Sequence, residues 1–180
     1  MPARRWQELI SQAAATFRLR ADVLTAQVYV ESGGNAYAWN PEPAYRYLWD
    51  VKRGQPFRIL TEEERTSEIA PADFPTLAGD RDQEFWAQQA SWGLLQVMGA
   101  LARERHFTGP YLTELVDPLV NIGLAAGHLS DLVVWAQGDY TQALAAYNGG
   151  RGGNTHPPFR NQAYADRVFT ELRKRRLTAE

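Results

Sequence analysis

One carboxylate stands where acid chemistry is plausible. Glu31-Ser32 closes the nearly all-apolar run at residues 21–30, and Gly33-Gly34 follow at once. Counting back from Glu31 by three, four and seven gives Val28, Gln27 and Leu24, which share its face at helical spacing. Asp22 can cap the start of such a helix, and the glycines supply the left-handed conformation in which helices end. A carboxyl at the C-terminal end of a buried helix is driven toward its neutral form by desolvation and by the negative end of the helix dipole. A carboxyl still protonated near neutral pH is what a general acid needs. Position alone leaves a solvated helix-end glutamate as the alternative.

Three further segments carry groups suited to a sugar. Residues 91–98, Ser-Trp-Gly-Leu-Leu-Gln-Val-Met, combine a glycine, the amide of Gln96 and the flexible thioether of Met98 in a turn-to-helix setting. Residues 143–150 end a helix with Tyr147 and Asn148 side by side, and Tyr164 lies on the last helix. Sugars are bound by aromatic faces and by amides that both donate and accept hydrogen bonds. Taken singly, Gln96 and Asn148 also read as surface amides or caps, and Tyr164 as a core tyrosine with its hydroxyl at the surface. His106, His128 and His156 have no partner at ligand spacing and there is no His-Glu-x-x-His, so no metal is expected. Residues 149–153 are glycine-rich but lack the Lys-Ser/Thr of a phosphate loop. They read as a flexible connection, and no cofactor is expected.

The elements that must position these groups are helical. Residues 7–17 are amphipathic, and the segment ending at Glu31 follows. Thr61 to Glu64 has capping-box spacing, residues 82–90 and 95–105 continue as helices, and Asp117-Pro118 opens one that runs to about Gln137. Its core stripe is expected at Leu119, Ile122, Ala126, Leu129 and Val133. Asp139 caps a short helix through Tyr147, and Asn161 caps the last, with Tyr164, Val168 and Leu172 on one face. Convincing period-two strands are absent, with a short edge at most over residues 57–60. The fold class expected is mainly α, a single domain over 1–180 with an elaborated insertion at about 35–88.

Composition narrows the function classes. With 180 residues, 44% hydrophobic and 22% charged, the chain can bury one sizeable core. A net charge of −2 gives no global basic field, so no nucleic-acid partner is expected, and Arg173 to Arg176 reads as a helix C-terminus complementing its dipole. There is no cysteine, hence no disulfide framework and no thiolate chemistry. No stretch reads as long enough to span a membrane, and no apolar core of signal-peptide length follows Arg4-Arg5. Membrane insertion is not expected, and the chain is read as a monomer.

Jointly the motifs resemble a family. The helix ending in Glu-Ser, then Gly-Leu-Leu-Gln-Val-Met, then Ala-Tyr-Asn-Gly-Gly, then a tyrosine on a C-terminal helix follow the order of the soluble lytic transglycosylase domain, related to goose-type lysozyme. Asp117-Pro118 with Asn121-Ile122-Gly123 is similar to the family's Asp-Pro…Asn-Ile-Gly helix start. The resemblance covers roughly residues 20–172 and implies an all-α, lysozyme-like fold.

It also implies cleavage of the β-1,4 bond between N-acetylmuramic acid and N-acetylglucosamine, with peptidoglycan glycan strands as the partner. Glu31 matches the family's single catalytic acid, which protonates the glycosidic oxygen. The muramyl N-acetyl oxygen stabilises the oxocarbenium-like centre, and the Glu31 carboxylate then takes the proton of the sugar's own 6-hydroxyl to give a 1,6-anhydro product. One carboxylate suffices because the second group belongs to the substrate, an exception to the paired-carboxylate rule. Gln96 and Asn148 match positions that line the glycan cleft, and Tyr164 matches the tyrosine near the acid. Tyr147 and Met98 fit cleft wall and packing. Ser32 fits a residue that holds local backbone or sugar, since no base is spaced to activate it.

The run from Glu31 to Gly93 is far longer than in compact family members, and the serine those members carry shortly before the glycine motif has no clear match. Glu42-Pro43-Ala44-Tyr45 followed by Ser-Trp-Gly-Leu-Leu-Gln-Val-Met-Gly is similar to phage-associated members. Glu42, Asp50 and Glu84 are candidate second carboxylates, Glu42 and Glu84 ranking first because they sit beside the recognised motifs. Any of them could hold a water and make the enzyme an inverting hydrolase, a goose-type muramidase or a chitinase-like glycosidase. An alternative of another class is a non-catalytic virion or cell-wall-binding module. Action on the bacterial wall with no leader in the chain implies phage delivery, release by lysis or a leader already removed.

Overall fold

The computed structural model describes residues 5–177. They form two compact units, one from the two ends of the chain (up to Asn35 and from Ile122 onward) and one from residues 36–121. Helices α1 (Gln7–Thr16) and α2 (Ala21–Ser32) open the first unit. The second carries strands β1 (Trp39–Pro41), β2 (Trp49–Asp50) and β3 (Gln55–Pro56), helices α3 (Glu62–Thr66) and α4 (Arg81–Gln88), strands β4 (Ala90–Trp92) and β5 (Val97–Met98), helix α5 (Gly99–Glu104) and a 3-10 turn (Leu112–Val116). Helix α6 (Pro118–Trp135) returns the chain to the first unit, which α7 (Tyr140–Gly149) and α8 (Gln162–Leu177) complete. The structure is mainly α.

In the first unit α2 is the central element, packed by α1 and by α8, and α8 also packs on α7. Its apolar composition follows from that position: Val23, Leu24, Ala26, Gln27 and Val28 are buried. It stops at Gly33, which adopts φ +64° and donates its N–H to the Tyr29 carbonyl at 3.0 Å, a left-handed end that a side chain would strain. Asp22 is not the cap. Arg20 precedes the helix without a capping side chain, and Asp22 sits in the first turn, bound to the Arg20 guanidinium at 2.9 Å. On α8, Tyr164, Ala165, Val168 and Leu172 form the buried face, the spacing expected.

Asp117 caps α6 through Leu119 N and Val120 N at 2.9 and 3.1 Å. The buried stripe of α6 is Ile122, Ala125, Ala126, Leu129 and Leu132. Leu119, expected in that stripe, lies in the first turn and is 65% exposed, and the stripe drifts to Leu132 in place of Val133. At 18 residues and mean hydropathy 1.2, α6 is long and apolar enough to cross a membrane by length and composition, which the sequence reading had not anticipated. Here its apolar stripe is buried within the protein.

The second unit is where sequence periodicity was least informative. Residues 95–105 were expected as one helix. Instead the chain turns at residues 93–96, pairs β5 with β4, and only then enters α5. The reason is local: Gly93 takes φ +71° and Gln96 φ +47°, which no helix accommodates. Helix α4 is capped by Asp80, whose carboxylate accepts from Asp82 N and Gln83 N, and it ends before Ala90, which belongs to β4. The edge expected at 57–60 is absent, and pairing occurs just before it, between β2 and β3. The capping box from Thr61 to Glu64 is present. The unit's apolar core is Leu48, Leu60, Ala70, Phe74 and Phe85, with Phe74 edge-on to Phe57 and Phe85 at 4.9 and 5.2 Å.

Beside that core lies a buried ion pair. Arg103 meets both oxygens of Glu84 at 2.8 Å, and the two side chains are 1% and 3% exposed. The remaining guanidinium nitrogen donates to the carbonyls of Phe107 and Gly109 at 2.8 and 2.7 Å, so no charge is left unpaired. Removing one partner strands the other in a dry interior, at a cost of about 3–5 kcal/mol. Arg103→Met is therefore expected to lose that much stability by urea denaturation, and a loss under about 1 kcal/mol, the scale of a surface pair, would contradict the burial.

Candidate active site

Glu31 occupies the last turn of α2, where the helix emerges partly into solvent. Tyr164, buried on α8, donates its hydroxyl to Glu31 Oε1. Burial pushes the Glu31 carboxyl up from 4.5 to about 7; the Tyr164 hydrogen bond and the positive charge of Arg167 pull it the other way without cancelling the desolvation. Arg167 lies one turn along α8 from Tyr164, its guanidinium carbon 5.7 Å from that ring's centroid. Burial, together with the negative charge of Glu31, raises the Tyr164 phenol well above its usual value, so it remains a hydrogen-bond donor throughout the working range. A carboxyl poised near 7 can give a proton and then take one back, the two acts that a single acid-base group must perform.

The neighbours of this pair were partly legible. Ser32 accepts from Gly34 N at 3.2 Å and donates to the Val28 carbonyl at 3.1 Å, which fastens the end of the helix that carries Glu31. Tyr147 is half-buried on α7, its ring 5.3 Å from that of His128, and it is among the groups that raise the Tyr164 phenol. Asn148 is exposed and accepts through Oδ1 from Asn161 Nδ2 at 2.9 Å. Asn161 was expected to cap α8. Its carbonyl accepts from Tyr164 N at 3.0 Å, but its side chain turns to Asn148 and to the fully buried Asn154. Asn154 in turn holds Gly150 O at 2.8 Å and Asn161 N at 3.0 Å. The glycine-rich connection is thus pinned by an asparagine network; at Gly149 a Cβ would stand 2.1 Å from Asn161 Oδ1.

Gln27 is the residue whose importance the sequence concealed. Helical spacing put it on the face of Glu31, one turn earlier, but gave it no task. The structure buries it completely, and neither Nε2 nor Oε1 makes a hydrogen bond. Its side chain nevertheless acts on the Tyr164 hydroxyl. An unsatisfied buried amide costs about 1–3 kcal/mol, which sets it apart from the apolar residues around it.

The Gly-Leu-Leu-Gln motif belongs to the second unit and is held by its own polar groups. Asn121, fully buried, donates to the carbonyls of Trp92 and Leu115 at 2.8 and 2.9 Å and accepts from Leu95 N at 2.9 Å. A Cβ at Gly93 would approach Asn121 Nδ2 to 2.5 Å and Leu115 O to 2.8 Å, so glycine is demanded twice, by space and by φ. Gln96 is half-buried; its Nε2 donates to Gly93 O at 2.9 Å and its Oε1 accepts from Ser91 at 2.8 Å. Its amide therefore secures the motif turn; the family resemblance places the same residue along the glycan cleft. Ser91, named in the motif without a task of its own, supplies the hydroxyl that holds Gln96. Met98 is half-buried on β5.

The three candidate second carboxylates differ sharply. Both oxygens of Glu84 are held by Arg103, and Oε1 also accepts from Gln88 Nε2 at 3.0 Å, so its carboxylate is committed to a buried structural pair. Asp50, 5% exposed, accepts from Lys52 N and Arg53 N at 3.0 and 2.9 Å and faces the Arg53 guanidinium at 3.8 Å, the pattern of a turn cap. Glu42 alone remains partly accessible, bonded through its carboxylate to the Asn40 amide. Sequence proximity to the motifs had ranked Glu84 with Glu42; burial separates them.

The family model described as "Transglycosylase SLT domain" matches residues 8–168. No curated protein matches the chain.

The raised Glu31 value has a consequence for stability. With a folded-state pKa near 7 against 4.5 unfolded, the native state holds its proton more tightly, so the contribution is fully present below about 4.5 and is lost as pH rises through 7. Relative to wild type, Glu31→Gln should be close to neutral in acid and gain up to about 3 kcal/mol above about pH 8, measured by denaturant unfolding across pH. A pH-independent difference would mean that the carboxyl is solvated.

Proposed function

Because the match spans most of its length, the chain belongs to the transglycosylase SLT domain family, and we propose that Glu31 is its catalytic acid. The family's lysozyme-like fold and lytic transglycosylase action on peptidoglycan hold for it at that level. The observation that carries the finer reading is the half-sheltered carboxyl at the end of α2, raised to about 7 and gripped by a tyrosine that cannot readily ionise.

In this reading protonated Glu31 gives its proton to the glycosidic oxygen as the bond to the muramyl C1 breaks. The acetamido oxygen of the same sugar supports the positive charge that develops there. The new carboxylate, held by the Tyr164 hydroxyl, then accepts the proton of the sugar's 6-hydroxyl as that oxygen closes on C1. The proton count returns to its start, and no water enters the product. Each act draws on the same pKa: high enough for Glu31 to hold a proton near neutrality, low enough for it to part with one. Tyr147 and Asn148 then flank the sugar as wall and hydrogen-bond partner.

A second reading is supported by one residue. Glu42 is the candidate whose carboxylate is not committed to an arginine or to its own turn. Were it to hold a water against C1, the enzyme would be a hydrolase of the inverting kind, which needs a carboxyl separation of about 6.5–9.5 Å.

Digesting peptidoglycan in heavy-oxygen water distinguishes the two. Anhydro ends carry no solvent oxygen, and a muramidase adds one labelled oxygen per cut; majority labelling would overturn the transglycosylase reading and leave the substrate assignment standing. Glu31→Gln is expected to lower the rate of cleavage at least about a hundredfold with the fold preserved. Near-wild-type lysis by that variant would sink the assignment of the acid.

A further inference from the structure

Glu31 and Tyr164 account for the proton and its immediate partner, but they leave Gln27 unexplained. Gln27 is fully buried on α2, precedes Glu31 by one helical turn, and has both amide atoms without hydrogen bonds. Positions four apart on a helix are neighbours on its surface, so the amide stands beside the carboxyl and beside the tyrosine that grips it. We propose that Gln27 is a positioning residue that donates its Nε2–H to the Tyr164 hydroxyl oxygen when Glu31 ionises, completing a Gln27–Tyr164–Glu31 relay. The proposal rests on Glu31 being the acid.

The chemistry follows from what a phenol can offer. A hydroxyl has one proton and two lone pairs. Tyr164 uses its proton on Glu31 Oε1, so its oxygen is free to accept, and Gln27 brings the donor. While Glu31 is protonated the phenol carries little polarisation, and the amide gains little by closing on it. Once the proton has left for the glycosidic oxygen, the carboxylate draws the phenol proton toward itself. The phenol oxygen becomes the better acceptor, and each bond strengthens the next. Gln27 thereby stabilises the ionised form of Glu31, the form the reaction creates, without touching substrate. The direction of its action on Tyr164 agrees: Gln27 lowers the phenol's pKa while Glu31, Tyr147 and burial raise it. The charged and titratable groups acting on Glu31 are Tyr164 and Arg167 of α8, and among the described residues none comes from α1, which also packs on α2. A residue kept only for packing would be leucine or methionine at this position, as its buried neighbours are apolar.

The test is the pH dependence of cleavage, read with direct observation of the amide. The acid must be protonated, so activity falls as pH rises through the Glu31 pKa. Without the relay the carboxylate is less stabilised, and Gln27→Met should move that limb upward by about half a pH unit and lower kcat roughly threefold, with KM little changed. Its Tm should hold or rise, since an unsatisfied amide is replaced by an apolar side chain of similar length. In a Tyr164→Phe background the same substitution should leave the limb where it is, because the link is already cut. If Gln27→Met fails to fold, the wild type still answers: the Gln27 side-chain amide resonance should move in the NMR spectrum with the same midpoint as Glu31. A limb that stays put in the folded variant, or an amide resonance indifferent to the titration, would overturn the relay. Inactivity of Glu31→Gln alongside either result leaves the assignment of the acid standing, so the two failures are told apart.

Discussion

A carboxyl that must hold a proton near neutrality has to be kept from water and yet not be abandoned by every polar group. In the first unit that balance is struck at the contact of α2 with α8. Burial of the Glu31 side chain drives its pKa up, and the Tyr164 hydroxyl and the Arg167 charge restrain the rise. Much of the unit can be read as support for this meeting. Gly33 ends α2 just past Glu31, and Ser32 fastens the end. The apolar face formed by Ala165, Val168 and Leu172 fixes α8 in the register that brings Tyr164 to the carboxyl. The asparagine network around Asn154 sets where α8 begins. A shift of α8 by one residue would turn the phenol by about 100° around the helix axis, away from Glu31.

The second unit treats its buried polar groups differently. Charge there is neutralised by direct pairing, as with Arg103 and Glu84, and amides are spent on backbone, as with Asn121 and Gln96. Each polar group in those arrangements is spent on a fixed partner. Gln96 at φ +47° illustrates the point, since a left-handed non-glycine residue persists only where its surroundings over-determine it. Here Ser91, Gly93 and the sheet pairing of β4 with β5 do so.

The contrast bears on chemistry. A group tied by two or three strong hydrogen bonds in a dry interior is a poor catalyst, because moving its proton would unmake the structure. Glu84 is tied in this way, and Asp50 in a milder version of it. Glu31 has a single strong bond, from a donor that remains a donor on either side of the proposed proton transfer. Gln27 supplies the unspent bonding capacity in the same unit, and unspent capacity is what a proton-transfer site requires.

The sequence by itself determined more than its periodicity suggests. The apolar run ending in Glu-Ser-Gly-Gly defined the helix and its carboxyl, because apolar spacing and the glycine stop are local properties. The ordered motifs identified the family for a similar reason: Gly93, Asn121, Asn148 and Tyr164 stand where backbone space or a hydrogen bond leaves little choice. Tertiary structure decided what depends on partners distant in the chain. That Tyr164 grips Glu31 across 133 positions, that Glu84 is lost to Arg103 and Glu42 is not, and that residues 95–98 turn into a strand are all consequences of which side chains meet. So is the raised carboxyl of Glu31, because desolvation is a sum over neighbours that no single segment contains.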